Sequence, residues 1–169
     1  MMLLLSTVCA ARVATAQDFV PPKNSTHKGT RFGLFGFGVR GGLDLAGDGQ
    51  FLLGTTLDMG NLFTDRVRMR PAFELGVFNG ANTYAGSFDA LWRFTAEEEV
   101  ATPYLGAGFS LAGHDGCGND AQCPDLWLNL TFGFELHYRS TFNWIVEYRA
   151  VDAFDKHRLF VGLTTRRGN

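Results

Sequence analysis

The sequence lacks any run approaching the ~20 apolar residues that a membrane-spanning helix needs. That absence excludes a helical span and leaves strands as the only way for this chain to cross a bilayer. It also lacks an excess of charge, since the formal net charge is -2 and no basic helix or Lys/Arg cluster is present. We therefore expect no nucleic-acid partner, because nothing offers a surface that tracks phosphates. Extended helical periodicity is missing too.

What is abundant is glycine and phenylalanine, with 21 and 16 residues in a chain of 169. That pairing is typical of an aromatic-rich β-protein, and the length suits one domain. At the start, MMLLLSTVCAARVATAQ combines an apolar core with Ala14-Thr15-Ala16, the small-x-small pattern that signal peptidase cuts. We expect residues 1–16 to be a signal peptide, and residues 17–30 to be a polar periplasmic segment of an exported protein.

The rest of the chain divides into eight segments in which apolar residues alternate with other residues. Between them lie stretches rich in Gly, Asn and Asp, as turns require. We predict an all-β chain over residues 31–167, with strands at 31–45, 50–60, 66–78, 82–95, 101–112, 125–139, 142–151 and 157–167.

Alternation gives each strand two different faces, because successive side chains leave opposite sides. In LWLNLTFGFELHYR, residues 126–139, every second residue is apolar, and Glu135, His137 and Arg139 lie between them. The apolar phase continues through all eight segments without a charge, for example at Met69, Phe73 and Val146. The opposite phase carries the charges, among them Arg40, Asp44 and Asp58, together with many glycines.

Two architectures share this pattern. A soluble lipocalin-like barrel would enclose the apolar face around a ligand. An inverted barrel would turn the apolar face to lipid and fill a narrow lumen with paired charges and glycines. The second is favoured, because eight strands leave too little interior room for so many Phe, Trp and Leu side chains. We predict an eight-stranded antiparallel up-and-down transmembrane β-barrel with a polar interior.

The charged phase predicts the contents of that lumen. Because the interior of such a barrel is only wide enough for side chains, we expect these ions to plug it and to leave little conductance. The predicted lumen network consists of Arg68, Arg70, Glu74, Asp89, Arg93, Glu135, His137, Arg139, Glu147, Arg149 and Arg158.

Near the C-terminus, GFELHYRSTFNWIVEYRAVDAF followed by HRLFVGLTTR resembles the final strand pair of the small OmpA/opacity-type outer-membrane barrels. The resemblance implies a bacterial outer-membrane location, insertion by the barrel assembly machinery, contact with outer-membrane lipids and a monomeric state. It also implies periplasmic termini. The connections 46–50, 79–82, 113–124 and 151–157 would then lie outside the cell.

Two smaller features follow from this topology. Cys117 and Cys123 lie in the long outer loop of an oxidising compartment, which predicts a disulfide, with a thiol or metal role as the alternative.

Aromatic residues near the ends of strands are expected to form girdles at the membrane interfaces. The predicted girdle residues are Trp92, Tyr138, Phe142 and Trp144 at one rim and Trp127 near the other.

Some outer-membrane barrels are enzymes that act on lipid A, so His137, Ser140 and Glu147 form a candidate catalytic set. His137 points into the lumen in the predicted phase, which does not suit a base that serves an acyl chain in lipid. We therefore expect a non-enzymatic barrel with a structural or surface-interaction role, without cofactor or metal. A lipid A-modifying enzyme and a soluble ligand-binding barrel remain as alternatives.

Overall fold

The computed structural model of the protein describes residues 29–46, 49–78, 80–94, 100–119, 123–137 and 141–165. Within them the chain forms eight strands and one 3-10 helix, and all eight predicted strands are confirmed with ends that differ by at most two residues. The predicted signal peptide lies outside the described residues. The elements are β1 (Arg31–Asp44), β2 (Phe51–Asn61), β3 (Val67–Val77), β4 (Thr83–Arg93), β5 (Ala101–His114), the 3-10 helix Cys117–Asn119, β6 (Asp125–His137), β7 (Phe142–Val151) and β8 (Lys156–Thr165).

These strands form a closed barrel in which each pairs with its neighbours in the sequence. All pairs are antiparallel, and β1 pairs with β8 from Gly38 opposite Thr164 to Asp44 opposite Arg158. Closure removes the free edges that an open sheet would expose. The connections alternate between two rims. The loop rim carries 45–50, 78–82, 115–124 and 152–155, and the turn rim carries 62–66, 94–100 and 138–141.

Over most of each strand, buried residues alternate with exposed ones, and most of the exposed ones are apolar. In β7 the side chains of Trp144 and Val146 are 42% and 38% exposed, whereas Ile145 and Glu147 are 1% and 0% exposed. The interior therefore holds the charges, and the outer surface is a continuous apolar belt. This arrangement confirms the predicted inverted phase. No helix among the described residues is long and apolar enough to span a membrane.

Glycines in the inward phase make room for the large side chains of the lumen. A methyl group at Gly133 would lie 2.5 Å from the hydroxyl oxygen of Tyr104 and 2.8 Å from the carbonyl oxygen of Val146. One at Gly162 would lie 2.7 Å from Cβ of Arg40. Long polar side chains fit inside an eight-stranded barrel because the positions facing them are glycines, which have no side chain.

Met69 departs from the predicted outer face, because its side chain is only 4% exposed. Met69 pairs with Gly60 immediately beyond a register shift in β2, which lies between Thr56 and Gly60. Such irregularities re-aim side chains locally. The alternation of the sequence carries no sign of this shift.

Candidate functional site in the barrel lumen

A dense group of ion pairs fills the middle of the lumen. Glu74 accepts hydrogen bonds from Arg40 at 2.5 Å and Arg158 at 2.8 Å, and from Arg149. Three strands, β1, β7 and β8, thus direct guanidinium groups at one carboxylate of β3. Its exposure is 2%, so its charge depends on these partners rather than on water.

Glu147 is the second carboxylate that joins several arginines. Its two oxygens accept hydrogen bonds from Arg40 at 2.5 Å, from the hydroxyl of Tyr104 at 2.7 Å and from Arg70. The guanidinium carbon of Arg70 also lies 5.4 Å from the centre of the Tyr104 ring. Arg40 bridges Glu74 and Glu147, and so makes one connected network of the two groups.

Asp89 and Asp44 complete this group. Asp89 pairs with Arg149, and Asp44 accepts a hydrogen bond from Arg158 at 3.1 Å. Four arginines therefore face four carboxylates with little exposure to water, and the group is electrically balanced. We call it the central cluster: Arg40, Asp44, Arg70, Glu74, Asp89, Glu147, Arg149 and Arg158.

A smaller group, the turn-side cluster, lies nearer the turn rim. Arg93 donates to Glu135 at 3.0 Å, and Arg68 lies 3.5 Å from Asp58 and 4.0 Å from Glu135. A cavity of about 30 Å³ is lined by residues of both clusters and by Leu91 and Ile145. Its volume, together with the charged side chains of Asp58, Arg68 and Glu135 in its lining, suits one or two ordered waters. The turn-side cluster is thus less completely enclosed by protein.

At the loop rim the lumen closes on an apolar group instead. Trp127 is 8% exposed and packs in a cluster with Ala85, Ala112 and Val151. The ammonium nitrogen of Lys156 lies 4.0 Å from the centre of the indole ring, and the guanidinium carbon of Arg158 lies 5.6 Å from it. Both distances are within the range of cation–π attraction. Trp127 therefore caps the central cluster.

This position corrects the prediction that Trp127 belongs to an interfacial girdle. Odd-numbered residues of β6 point inward, so Trp127 shares its face with Asn129 and Thr131 rather than with Leu126 and Leu128. Trp92, Phe142 and Trp144 do lie on the outer face near the turn rim, with 44%, 45% and 42% exposure. Tyr138, the remaining girdle residue, is outside the described residues.

The structure brings nine of the predicted lumen residues into the two clusters: Arg68, Arg70, Glu74, Asp89, Arg93, Glu135, Glu147, Arg149 and Arg158. His137 is partly buried at the end of β6, and Arg139 lies in the undescribed segment after it. Tyr104 was missed because it is not charged. Its place in the inward phase of β5, two residues before Gly106, is the signal that identifies it.

The long loop carries a disulfide between Cys117 and Cys123, whose Cα atoms lie 5.2 Å apart. It closes a short segment that contains the 3-10 helix at the loop rim. Over the described part of the chain, no group of three His, Cys, Asp or Glu residues is placed to hold a metal ion.

Comparison with solved structures identifies the type of barrel. The N-terminal β-barrel domain of Pseudomonas aeruginosa OprF matches with a TM-score of 0.60 and 13% identity, over 79% of this chain and 98% of that domain. Neisserial surface protein A matches with a TM-score of 0.54 and 14% identity, over 77% of this chain and 94% of that protein. The chain has the fold of the eight-stranded outer-membrane barrels.

Sequence comparison adds nothing to this result, since no protein-family model and no curated protein matches the chain. The outer membrane enzyme PagL gives a TM-score of 0.46 at 13% identity, over 78% of this chain and 99% of that one. That likeness is too low to carry an argument about activity. At such identities the matches define a shared fold alone.

Proposed function

We propose that this protein is an integral, non-enzymatic barrel of the bacterial outer membrane, with a closed lumen and a structural or surface-interaction role. The observation that carries the proposal is the division of each strand into a charged inner face and an apolar outer face. Lipid is the solvent that such an outer face requires. In water it would form an apolar surface far larger than monomeric soluble proteins expose.

The lumen supports this function over that of a soluble ligand carrier. A carrier of apolar molecules needs an empty, apolar interior. Here six arginines and six carboxylates occupy the interior in mutual contact, in the central and turn-side clusters. Such a filling closes the pore and leaves room for little besides water.

The same contacts favour a role without catalysis. Glu147, which would have to orient a histidine base in a Ser-His-Glu set, is engaged by Arg40, Arg70 and Tyr104. His137 lies in the inward phase of β6, away from the acyl chains of surrounding lipid. Ser140 is outside the described residues.

In this function the loop rim faces the cell exterior and the turn rim faces the periplasm. The disulfide-closed loop then offers the most extended outer surface for contacts with other molecules. Lipids of the outer membrane surround the belt as the immediate partners of a monomeric barrel, after insertion by the barrel assembly machinery.

Fractionation and gel migration test the proposal together. The protein should sediment with outer membranes, require detergent, and run faster before boiling than after it, because a closed barrel resists SDS until heated. In planar bilayers it should show little or no steady conductance. Full solubility in buffer or large conductance would contradict the proposal, and a shift in lipid A mass on deletion would indicate an enzyme.

A further inference from the structure

The outer face of the barrel carries one imidazole among its mostly apolar side chains. The described outward-facing strand residues include two basic side chains, Arg31 at the turn rim and His157. His157 is the second residue of β8, directly after the 152–155 turn. The next residue, Arg158, points into the lumen, where it pairs with Glu74 at 2.8 Å. A histidine on a lipid-facing surface calls for a partner.

Its partner in the protein is Tyr148, another outward residue on the neighbouring strand. The Tyr148 hydroxyl lies 2.6 Å from Nδ1 of His157, and the two rings are stacked with centres 6.0 Å apart. A hydroxyl that donates to Nδ1 places the ring proton on Nε2. In that tautomer the pair presents one N–H donor, at Nε2, and no described protein group accepts from it.

The position of this donor is fixed by the sheet on both sides. The backbone N–H of Leu45, just beyond β1, donates to the carbonyl of His157 at 2.7 Å, and His157 pairs in register with Ala150 of β7. Below it on the outer face lie Leu159 and Val161, which are 41% and 48% exposed. The donor thus lies where the apolar belt ends at the loop rim.

We propose that Tyr148 and His157 form a binding site for the phosphate headgroup of a lipid in the outer leaflet. This inference rests on the proposed function, since it requires the loop rim to lie at the headgroups of a bilayer. The acyl chains of the lipid lie against Leu159 and Val161. The headgroup oxygen accepts the hydrogen bond from Nε2 of His157.

A binding role suits these residues better than a catalytic one. Asp152 and Asp155 lie in the adjoining turn. The charged residues next to the pair in sequence are directed into the barrel: Glu147, Arg149, Lys156 and Arg158. No serine or cysteine occupies an outward-facing position in the described strands. The pair therefore lacks the serine or cysteine nucleophile of a Ser-His or Cys-His hydrolase, whereas an imidazole N–H suits donation to a phosphate oxygen.

Native mass spectrometry of the protein in neutral detergent provides the test. Titration with phosphatidylglycerol, and with diacylglycerol of the same chains, separates headgroup binding from contact with the belt. His157→Phe keeps an aromatic ring and removes the donor, and should weaken phosphatidylglycerol binding about three- to tenfold. The diacylglycerol affinity should not change.

Tyr84→Phe is the matched control, because Tyr84 is also outward-facing near the loop rim but lies opposite Gly113 rather than beside an outward-facing histidine. It should bind both lipids as the unaltered protein does. Equal phosphatidylglycerol binding by His157→Phe and the unaltered protein would overturn the site, as would an equal loss for both lipids. A chain that needs no detergent would overturn the proposed function as well, whereas an intact detergent-bound barrel with unchanged binding overturns only the site.

Discussion

The two faces of β7 differ in their surroundings, because one faces the lumen and the other faces lipid. The inner face consists of Asn143, Ile145, Glu147, Arg149 and Val151, and the exposed outer face consists of Phe142, Trp144, Val146 and Tyr148. Inside, stability depends on complete pairing, because each charge has lost its water. Outside, it depends on the absence of charge, because lipid cannot solvate one. Substitutions at adjacent residues of β7 should therefore destabilise the barrel for opposite reasons.

Removal of a carboxylate from the central cluster should have the largest effect. Glu147→Ala removes the carboxylate that pairs with Arg70 and one of the two carboxylates that pair with Arg40. We expect a loss of about 3–5 kcal/mol in the free energy of unfolding, since a buried charge is left without compensation. Urea titration of the protein in lipid vesicles, followed by gel migration, measures it. A second substitution, Arg70→Leu, should restore part of the loss.

Glu135→Ala is the matched comparison inside the lumen. Its partners Arg93 and Arg68 belong to the turn-side cluster, next to the cavity of about 30 Å³. Water in that cavity can solvate the arginines that remain, so we expect a smaller loss of about 1–2 kcal/mol. Equal losses in the free energy of unfolding for Glu147→Ala and Glu135→Ala would show that water reaches the central cluster as readily as it reaches the turn-side cluster.

On the outer face the corresponding experiment adds a charge. Val146→Arg places a guanidinium group in hydrocarbon near the middle of β7, which should cost roughly 2–4 kcal/mol in the same assay. Val146→Leu, a change of size without charge, should be nearly neutral. If Val146→Arg folds as well as Val146→Leu, the outer face does not lie in lipid.

A small effect is also expected at the disulfide, which lies at the loop rim and belongs to neither face. Reduction of Cys117–Cys123, or replacement of both by serine, should cost at most about 2 kcal/mol, because it closes only a short loop. The compact, unheated band should persist, since twelve residue pairs still hold β5 to β6. Loss of that band on treatment with reductant would contradict this expectation.

The fold was predictable because alternation is a strong signal when one face is uniform. Strand ends, the number of strands and the inward phase of Glu74, Glu147 and Arg149 all follow from the period of two and from turn residues. The alternation also indicates that arginines and carboxylates share one lumen. It says nothing about which of them pair, because pairing depends on the tilt and stagger of strands far apart in sequence.

The errors have local causes. Trp127 was assigned by residue type to a girdle, although its odd position in β6 placed it inside, where Lys156 and Arg158 contact its ring. Met69 follows the correct phase, yet a register shift in β2 buries it. For Trp127, the preference of tryptophan for membrane interfaces gave a different prediction from the period of two. For Met69, the sequence carries no sign of the register shift that buries it.

The chain's own three tryptophans provide the most direct test of the inside-out assignment. Three variants, each keeping one tryptophan and replacing the others by phenylalanine, would be placed in vesicles of lipids brominated in the acyl chains, which quench fluorescence on contact. The structure predicts strong quenching of Trp92 and Trp144, which lie on the outer face, and almost none of Trp127, which is 8% exposed inside the lumen. Strong quenching of Trp127 with little quenching of Trp92 and Trp144 would contradict the account.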